Sequence, residues 1–232
     1  MKILITSGST MMPIDKVRGI TNIFKGKTGF NIAKAAALRD HEVVLIGNPI
    51  SDQWRNAVWE GASEQFRVHT YKTFDELQIL MQRELSSRDW DACIHSAAVS
   101  DYKPVDVVSM QSSNLYQYTM KSLQESKVSS SHPEIYIKCV KTIKLVDYIR
   151  EWGLGDKPLV KFKLEVDVTP EELFNRASKS RKDSDANFIV ANRLNDFDNW
   201  VSTSIQIIDS NDKVTMVSRT NLPGKVIGLL EK

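Results

Sequence analysis

The chain opens on a short apolar run, Met1 to Thr6, that passes directly into the polar turn TSGST and, after a winding stretch, into KGKTGF. A strand feeding a glycine-bearing turn and then a helix is a strong constraint, because α/β nucleotide-binding proteins present bare backbone amides to a phosphate in this way. Two common phosphate-binding patterns fail here on residues that can be named. The dinucleotide fingerprint needs G-x-G-x-x-G straight after the strand and an acidic residue about twenty positions on. Gly8 is instead followed by Ser9 and Thr10, and the second strand, HEVVLIGN, ends in Gly47 and Asn48. The P-loop needs a glycine five residues before GK[ST]; Gly26-Lys27-Thr28 supplies the end of that pattern, but Thr21 stands where the glycine belongs. The stretch is phosphate-directed and belongs to neither class, which argues against an ordinary NAD enzyme or P-loop nucleoside triphosphatase.

The rest of the chain alternates strands and helices. Gly8 to Lys25 lacks periodicity and reads as a long ordered loop, a kind of segment that in compact domains is usually functional or disordered. Small and apolar residues from Thr28 to Arg39 mark a helix packed closely on a sheet, and VVLIG is the next strand, so the first unit is a parallel pair with a right-handed crossover. Asn48 to Gly61 is turn-rich, and QFRVHTY alternates as a strand. Thr73 and Glu76 form a capping-box pattern ahead of a helix to about Ser87. DACIHSAAVSDY reads as a buried strand ending in small residues, as expected where a central strand meets a ligand. Lys103 to Ser131 dissolves into Ser, Gln, Asn and Val, the composition of a linker or of a flap that closes over substrate. EIYIKCV is a strand, TIKLVDYIREWG a helix, and PLVKFKLEV another strand. Thr169-Pro170-Glu171-Glu172 starts a helix to near Lys182. NFIVAN is a further buried strand, SIQIIDSNDKVTMVS two strands about a turn, and a short helix leads to Lys232. The expected fold is one Rossmann-like α/β domain over 1–232, with a mostly parallel central sheet flanked by helices and a C-terminal β-hairpin.

Charge and cysteine usage narrow the function classes. The 31 basic residues nearly balance the 29 acidic ones, too evenly for a generic nucleic-acid surface. Cys93 and Cys139 sit in apolar runs without metal-type spacing and read as reduced, buried thiols. The four histidines are too dispersed for a metal cluster, so no metal-binding residue is assigned. The N-terminal apolar run ends at Ile5, far short of the roughly twenty residues a membrane span needs, and a soluble, cytoplasmic protein is expected. A short-chain NAD(P) oxidoreductase would need Tyr-x-x-x-Lys, and none of the six tyrosines has a lysine four residues on; Tyr118 comes nearest, with Lys121 at three.

TSGSTMMPIDKVRGITN followed by KGKTG, then SAAVSDYKP, the KFKLE strand and the late IVAN together resemble the phosphopantothenate–cysteine ligase family, the second activity of CoaBC-type proteins, here as a free-standing chain. The resemblance covers residue 1 to about residue 195, and the C-terminal hairpin and helix also fit. It implies a ligase of coenzyme A biosynthesis. The carboxylate of 4'-phosphopantothenate attacks the α-phosphate of CTP or ATP with Mg2+, pyrophosphate leaves, and the amine of L-cysteine takes the acyl group. It also implies a homodimer in which a partner chain helps to complete the site. Neither nucleic acid nor membrane is an expected partner. A non-catalytic nucleotide-binding module of the same fold is the rival reading.

Site residues follow from the same likeness. Gly8, Ser9 and Thr10, with Gly26, Lys27 and Thr28, would surround the nucleotide phosphates, where the bland reading is a connecting turn. Lys27 at a helix start is disfavoured by the helix dipole unless an anion lies beside it. Asn22 would hold the acyl-nucleotide intermediate; otherwise it serves turn geometry. Arg18 would bind the substrate phosphate, Ala97 and Ala98 would bring backbone to the nucleotide, and Asp101 would contact its base or ribose. Lys127 corresponds to a flap lysine that neutralises the reacting phosphate, and Phe162 to an aromatic near the base. The chain departs from the family pattern at Thr142 to Lys144, where relatives often carry N-P-D, and at Ser180 and Ser184, where they carry lysines.

Overall fold

The computed structural model describes residues 1–48, 65–114, 117–123, 126–194 and 205–232; most of the turn-rich stretch after Asn48 lies outside them. β1 (Lys2–Ser7) leads into a miniature antiparallel hairpin, β2 (Met11–Pro13) and β3 (Gly19–Thr21), within the stretch expected to be irregular. Then come α1 (Lys27–Ala37), β4 (Glu42–Gly47), β5 (Phe66–Thr70), α2 (Phe74–Ser87) and β6 (Ala92–His95). β7 (Tyr102–Asn114), β8 (Gln117–Ser122) and β9 (Tyr136–Lys141) follow. The chain returns through β10 (Leu159–Glu165), α3 (Pro170–Asp183), β11 (Phe188–Arg193), β12 (Ile205–Ile208), β13 (Val214–Val217) and α4 (Leu222–Leu230).

Eight strands form the main sheet in the order β13-β12-β11-β10-β6-β1-β4-β5. Pairing is parallel from β5 across to β11 and antiparallel at β12 and β13. This is the Rossmann-like sheet with a C-terminal hairpin, and the hairpin is one edge of it. Helices cover both faces, which is why strands such as KILITS are buried on both sides and read as continuous apolar runs. Ile3, Ile5, Val43 and Ile94 pack under α1 and α4, while Leu4, Val44 and Cys93 face α2 and the connection before β10. Both expected capping boxes form, at Thr73 with Glu76 and at Thr169 with Glu172. No helix among the described residues is long and apolar enough to cross a membrane.

Three segments differ from their sequence pattern. The apolar run DACIHSAAVSDY is strand only over Ala92–His95, because after His95 its backbone pairs with the loops of the N-terminal segment. Leu145 to Leu154 is not an α-helix but a tight 3-10 turn followed by a wide turn, broken where Gly153 adopts φ 135° against the Leu85 carbonyl. The weakly patterned stretch after Lys103 is built into β7 and β8, which form a separate antiparallel sheet in the order β8-β7-β9. Cys139 lies exposed on β9 rather than buried, because β9 belongs to this small sheet and not to the core; Cys93 is buried as expected.

Candidate active site

The site is built at the carboxyl ends of β1 and β6, adjacent strands whose following connections leave toward opposite sides of the sheet. Such a divergence opens a crevice in doubly wound folds. Ser7 donates from Oγ to the Gly26 carbonyl at 2.6 Å, which pins the start of α1 to the end of β1. Gly26 occupies the N-cap position in the left-handed region, φ 77°, with no side chain capping the helix. A Cβ there would lie 2.5 Å from the Gly8 nitrogen, so two glycine backbones meet with no room for a side chain. Farther along α1, a Cβ on Gly29 would meet Ser96 Oγ at 2.2 Å, so helix and strand end pack without a spacer. The first amides of α1 are therefore not covered by a side-chain cap and lie beside Gly8, the arrangement that suits a phosphate.

The chain after β6 is stitched to this turn. Ala98 N donates to the Gly8 carbonyl at 2.8 Å, and Thr10 N donates to the Ala98 carbonyl at 3.2 Å. Asn22 donates from Nδ2 to the same Ala98 oxygen at 3.0 Å. Thr10 Oγ1 accepts from Ser100 N at 2.9 Å, and the Asp101 carbonyl accepts from Thr142 N at 2.9 Å. Thr142 also donates from Oγ1 to the Ser100 carbonyl at 2.7 Å. Gly8, Ser9, Thr10, Asn22, Gly26, Ala97, Ala98 and Asp101 thus share one crevice, with Lys27 and Thr28 opening the helix beside it. The residues that depart from the family pattern at Thr142 lie against it as well.

The remaining candidates are placed elsewhere. Arg18 is paired with Asp15, its Nε at 3.0 Å and Nη2 at 2.6 Å from the carboxylate, and Nη2 also donates to the Val128 carbonyl at 2.6 Å. The Arg18 guanidinium and the amides of Val17, Val128 and Arg18 hold the Asp15 carboxyl far below the usual carboxylate range. Lys16 N donates to the Ser126 carbonyl, so exposed Lys127 sits in a segment docked on the Asp15–Arg18 turn. Ile14, Val107, Leu123, Val128 and Ile135 pack together at its base. Phe162 packs on the core beneath α1 and α4.

Two features escaped the sequence reading. Asn48, just past β4, donates from Nδ2 to the Ser9 carbonyl at 2.8 Å and braces the turn from its other side. Its place at the end of the second strand was the available signal. Lys161, a lone cation in the apolar run PLVKF, is buried within β10 and donates to the Ser180 carbonyl and Ser184 Oγ, both residues where the resemblance had led to lysines. Beside it His95 is buried, with Nδ1 2.8 Å from Thr6 Oγ1; burial and then the Lys161 charge push its pKa down to about 4. Among the described residues no group of three or more His, Cys, Asp or Glu side chains is placed to hold a metal.

Comparison with known proteins agrees with this architecture. Residues 1–227 match the family model of the DNA/pantothenate metabolism flavoprotein C-terminal domain. The coenzyme A biosynthesis bifunctional protein CoaBC of Thermococcus kodakarensis is 30% identical over 84% of this chain, which spans 42% of that protein. The crystal structure of the DNA/pantothenate metabolism flavoprotein from Streptococcus pneumoniae superposes with a TM-score of 0.79 at 29% identity, covering 100% of this chain and 98% of that one. A Cab2 mutant solved in complex with phosphopantothenate-cysteine shares the fold, with a TM-score of 0.72 at 14% identity over 99% of this chain and 86% of that one. On these matches the chain belongs to the family of DNA/pantothenate metabolism flavoprotein C-terminal domains.

Proposed function

We propose that this domain is a phosphopantothenate–cysteine ligase of coenzyme A biosynthesis, forming a C–N bond at the expense of CTP or ATP. The observation that carries the reading is the convergence of Gly8, Asn22 and Gly26 with Ala98 and Asp101 on one crevice. The chemistry asks for that convergence. A carboxylate and a triphosphate repel each other, so a catalyst must supply amides and cations where charge builds on the α-phosphoryl oxygens. The attacking carboxylate is ionised at neutral pH, and no general base is needed for that step.

In this reading the turn at Gly8, Ser9 and Thr10 and the first amides of α1 take the phosphates. Asn22 spends one N–H on the Ala98 carbonyl and keeps the other, with Oδ1, for the acyl nucleotide. Arg18, whose Nη1 has no partner among the described residues, takes the phosphate of 4'-phosphopantothenate, and Lys127 brings a cation from the segment docked beside it. The amine of L-cysteine then attacks the acyl carbonyl, and the nucleoside monophosphate leaves. Mg2+ would enter on the triphosphate and offset its charge, since the described residues offer it no cluster of ligands.

We further propose a homodimer. Val105, Tyr136 and Val140 are exposed on the small sheet, and Ile20 and Ile23 are exposed on and beside the β2–β3 hairpin, and these apolar side chains outside the main core support a second copy packing there.

The test is to incubate the pure chain with CTP or ATP, Mg2+, 4'-phosphopantothenate and cysteine, and to follow pyrophosphate. Release that depends on 4'-phosphopantothenate is expected. Nucleotide binding without any release would favour a non-catalytic nucleotide-binding module instead.

A further inference from the structure

The turn of the β2–β3 hairpin is built on one carboxylate. The Asp15 side chain is 0% exposed, although Lys16, Val17 and Arg18 after it are exposed. Its two oxygens have different partners. Oδ1 accepts from the Val17 and Arg18 amides at 2.8 and 2.7 Å, the ordinary way in which an aspartate shapes a turn. Oδ2 accepts from Nε and Nη2 of Arg18 at 3.0 and 2.6 Å, and from the distant Val128 amide at 3.1 Å. Turn formation explains the first oxygen and leaves the second to be explained.

A guanidinium carries five N–H donors in one plane. Nε and one N–H of Nη2 are spent on Asp15, and the other N–H of Nη2 goes to the Val128 carbonyl at 2.6 Å. Nη1 has no partner among the described residues. Bonds to two separate acceptors fix the plane, so the remaining edge has one direction, and the Arg18 side chain is 43% exposed, within reach of a ligand. The hairpin also sets a distance. Arg18 precedes Asn22 by four residues across β3, about 13 Å at the rise of a strand. The carboxyl carbon and the phosphorus of an extended 4'-phosphopantothenate lie roughly 11 Å apart at ordinary bond lengths. Asn22 is bonded to the Ala98 carbonyl in the crevice, so a substrate whose carboxylate reacts there carries its phosphate to the level of Arg18.

We propose that Asp15 is a positioning residue for the substrate: through Oδ2 it aims Nη1 of Arg18 at the phosphate of 4'-phosphopantothenate. The proposal rests on the ligase reading, in which Arg18 takes that phosphate. A carboxylate beside an anion site is a disadvantage on charge alone, and orientation of the guanidinium before binding is what offsets it.

The test is calorimetric titration of the full chain with 4'-phosphopantothenate and, separately, with CTP and ATP, alongside urea unfolding. Wild type is compared with Asp15→Asn, Arg18→Ala and the double variant. Asparagine keeps an oxygen for the Val17 and Arg18 amides but sets an NH2 group where Oδ2 accepted, so the turn and the aiming of Arg18 come apart. Asp15→Asn is expected to bind 4'-phosphopantothenate about tenfold more weakly, the scale for ordering one rotamer-rich side chain on binding, and nucleotide as wild type does. The sign is diagnostic: removing a negative charge near a phosphate would by itself tighten binding. In the Arg18→Ala background the same change is expected to add less than about twofold, because nothing is left to aim. Equal or tighter binding by a folded Asp15→Asn, a parallel loss of nucleotide affinity, or full additivity with Arg18→Ala overturns the proposal. Should Asp15→Asn not fold, Arg18→Lys decides: it keeps the charge and the pairing with Asp15 but has no second nitrogen to present, so wild-type affinity for 4'-phosphopantothenate refutes the role. Wild type that binds nucleotide and not 4'-phosphopantothenate removes the ligase reading, and the proposal with it.

Discussion

Asn22 Nδ2 lies 3.0 Å from the Ala98 carbonyl oxygen, and this bond ties the end of the β2–β3 hairpin to the chain leaving β6. An aspartate at position 22 has no N–H to donate and adds negative charge where the proposed reaction would bring two anionic substrates together. Asn22→Asp is therefore expected to depress formation of the cysteine adduct at least tenfold while leaving nucleotide-dependent pyrophosphate release partly intact, because the activated acyl group forms but is poorly held. Parallel assays of pyrophosphate and of 4'-phosphopantothenoylcysteine check this. Equal loss of both would remove Asn22 from the second step.

Gly26→Ala tests the contact between the two glycine turns. The substitution forces φ 77° on a residue with a Cβ and drives that Cβ to 2.5 Å from the Gly8 nitrogen, an atom that cannot swing away. A loss above about 2 kcal/mol in urea unfolding is expected, from the left-handed strain together with the backbone clash. A loss of only about 1 kcal/mol, the left-handed strain alone, would mean that the helix start moves aside without cost.

What the sequence showed and what it hid divide along burial. β1, β4, β10 and β11 are buried on both faces, so their apolar runs name them, and the capping boxes at Thr73 and Thr169 fix two helix starts to the residue. The turn after β1 was legible because glycine and small polar residues have a backbone reason to be there. β7 and β8 were not legible, since a small sheet outside the core needs little apolar alternation and its Ser and Gln residues read as linker. Leu145 to Leu154 has helical periodicity, yet Gly153 lies against Leu85 and tertiary packing overrides the propensity. Arg18 shows a different limit: residue type and motif pointed to an anion, while only coordinates show that Asp15 takes Nε and Nη2 and leaves Nη1.

Self-association is expected to run through the small sheet. Val140 on β9 is 37% exposed, Tyr136 likewise, and Val105 reaches 50%. A glutamate at position 140 places a charge in a face proposed to be covered, where an unpaired carboxylate costs far more than at a free surface. Sedimentation of the wild type is expected at twice the 26.3 kDa of one chain, and Val140→Glu is expected to shift it to one. A wild type that sediments as a monomer at every concentration tried would refute the dimer.

His95 sets an acid limit on the fold. Its imidazole is buried against Thr6 Oγ1, and burial first, then the Lys161 charge, depresses its pKa from the ordinary 6.5 to about 4. On acidification the unfolded chain takes up this proton first, near pH 6.5, while the folded chain resists until about pH 4. Stability linked to His95 is therefore complete above pH 6.5 and is lost as pH falls through that window, a change worth about 3 kcal/mol. Urea midpoints measured between pH 7.5 and pH 4 should fall along this limb. His95→Gln, which has no proton to gain, should flatten the part of the limb between about pH 6.5 and pH 4, whatever it does to the overall midpoint. Lys161→Met should move the His95 imidazole resonance toward a higher midpoint without restoring the ordinary value, since burial is the larger cause. A His95 that titrates near pH 6.5 in the folded wild type would show that water reaches the Thr6–His95–Lys161 row and that its charges are not sequestered.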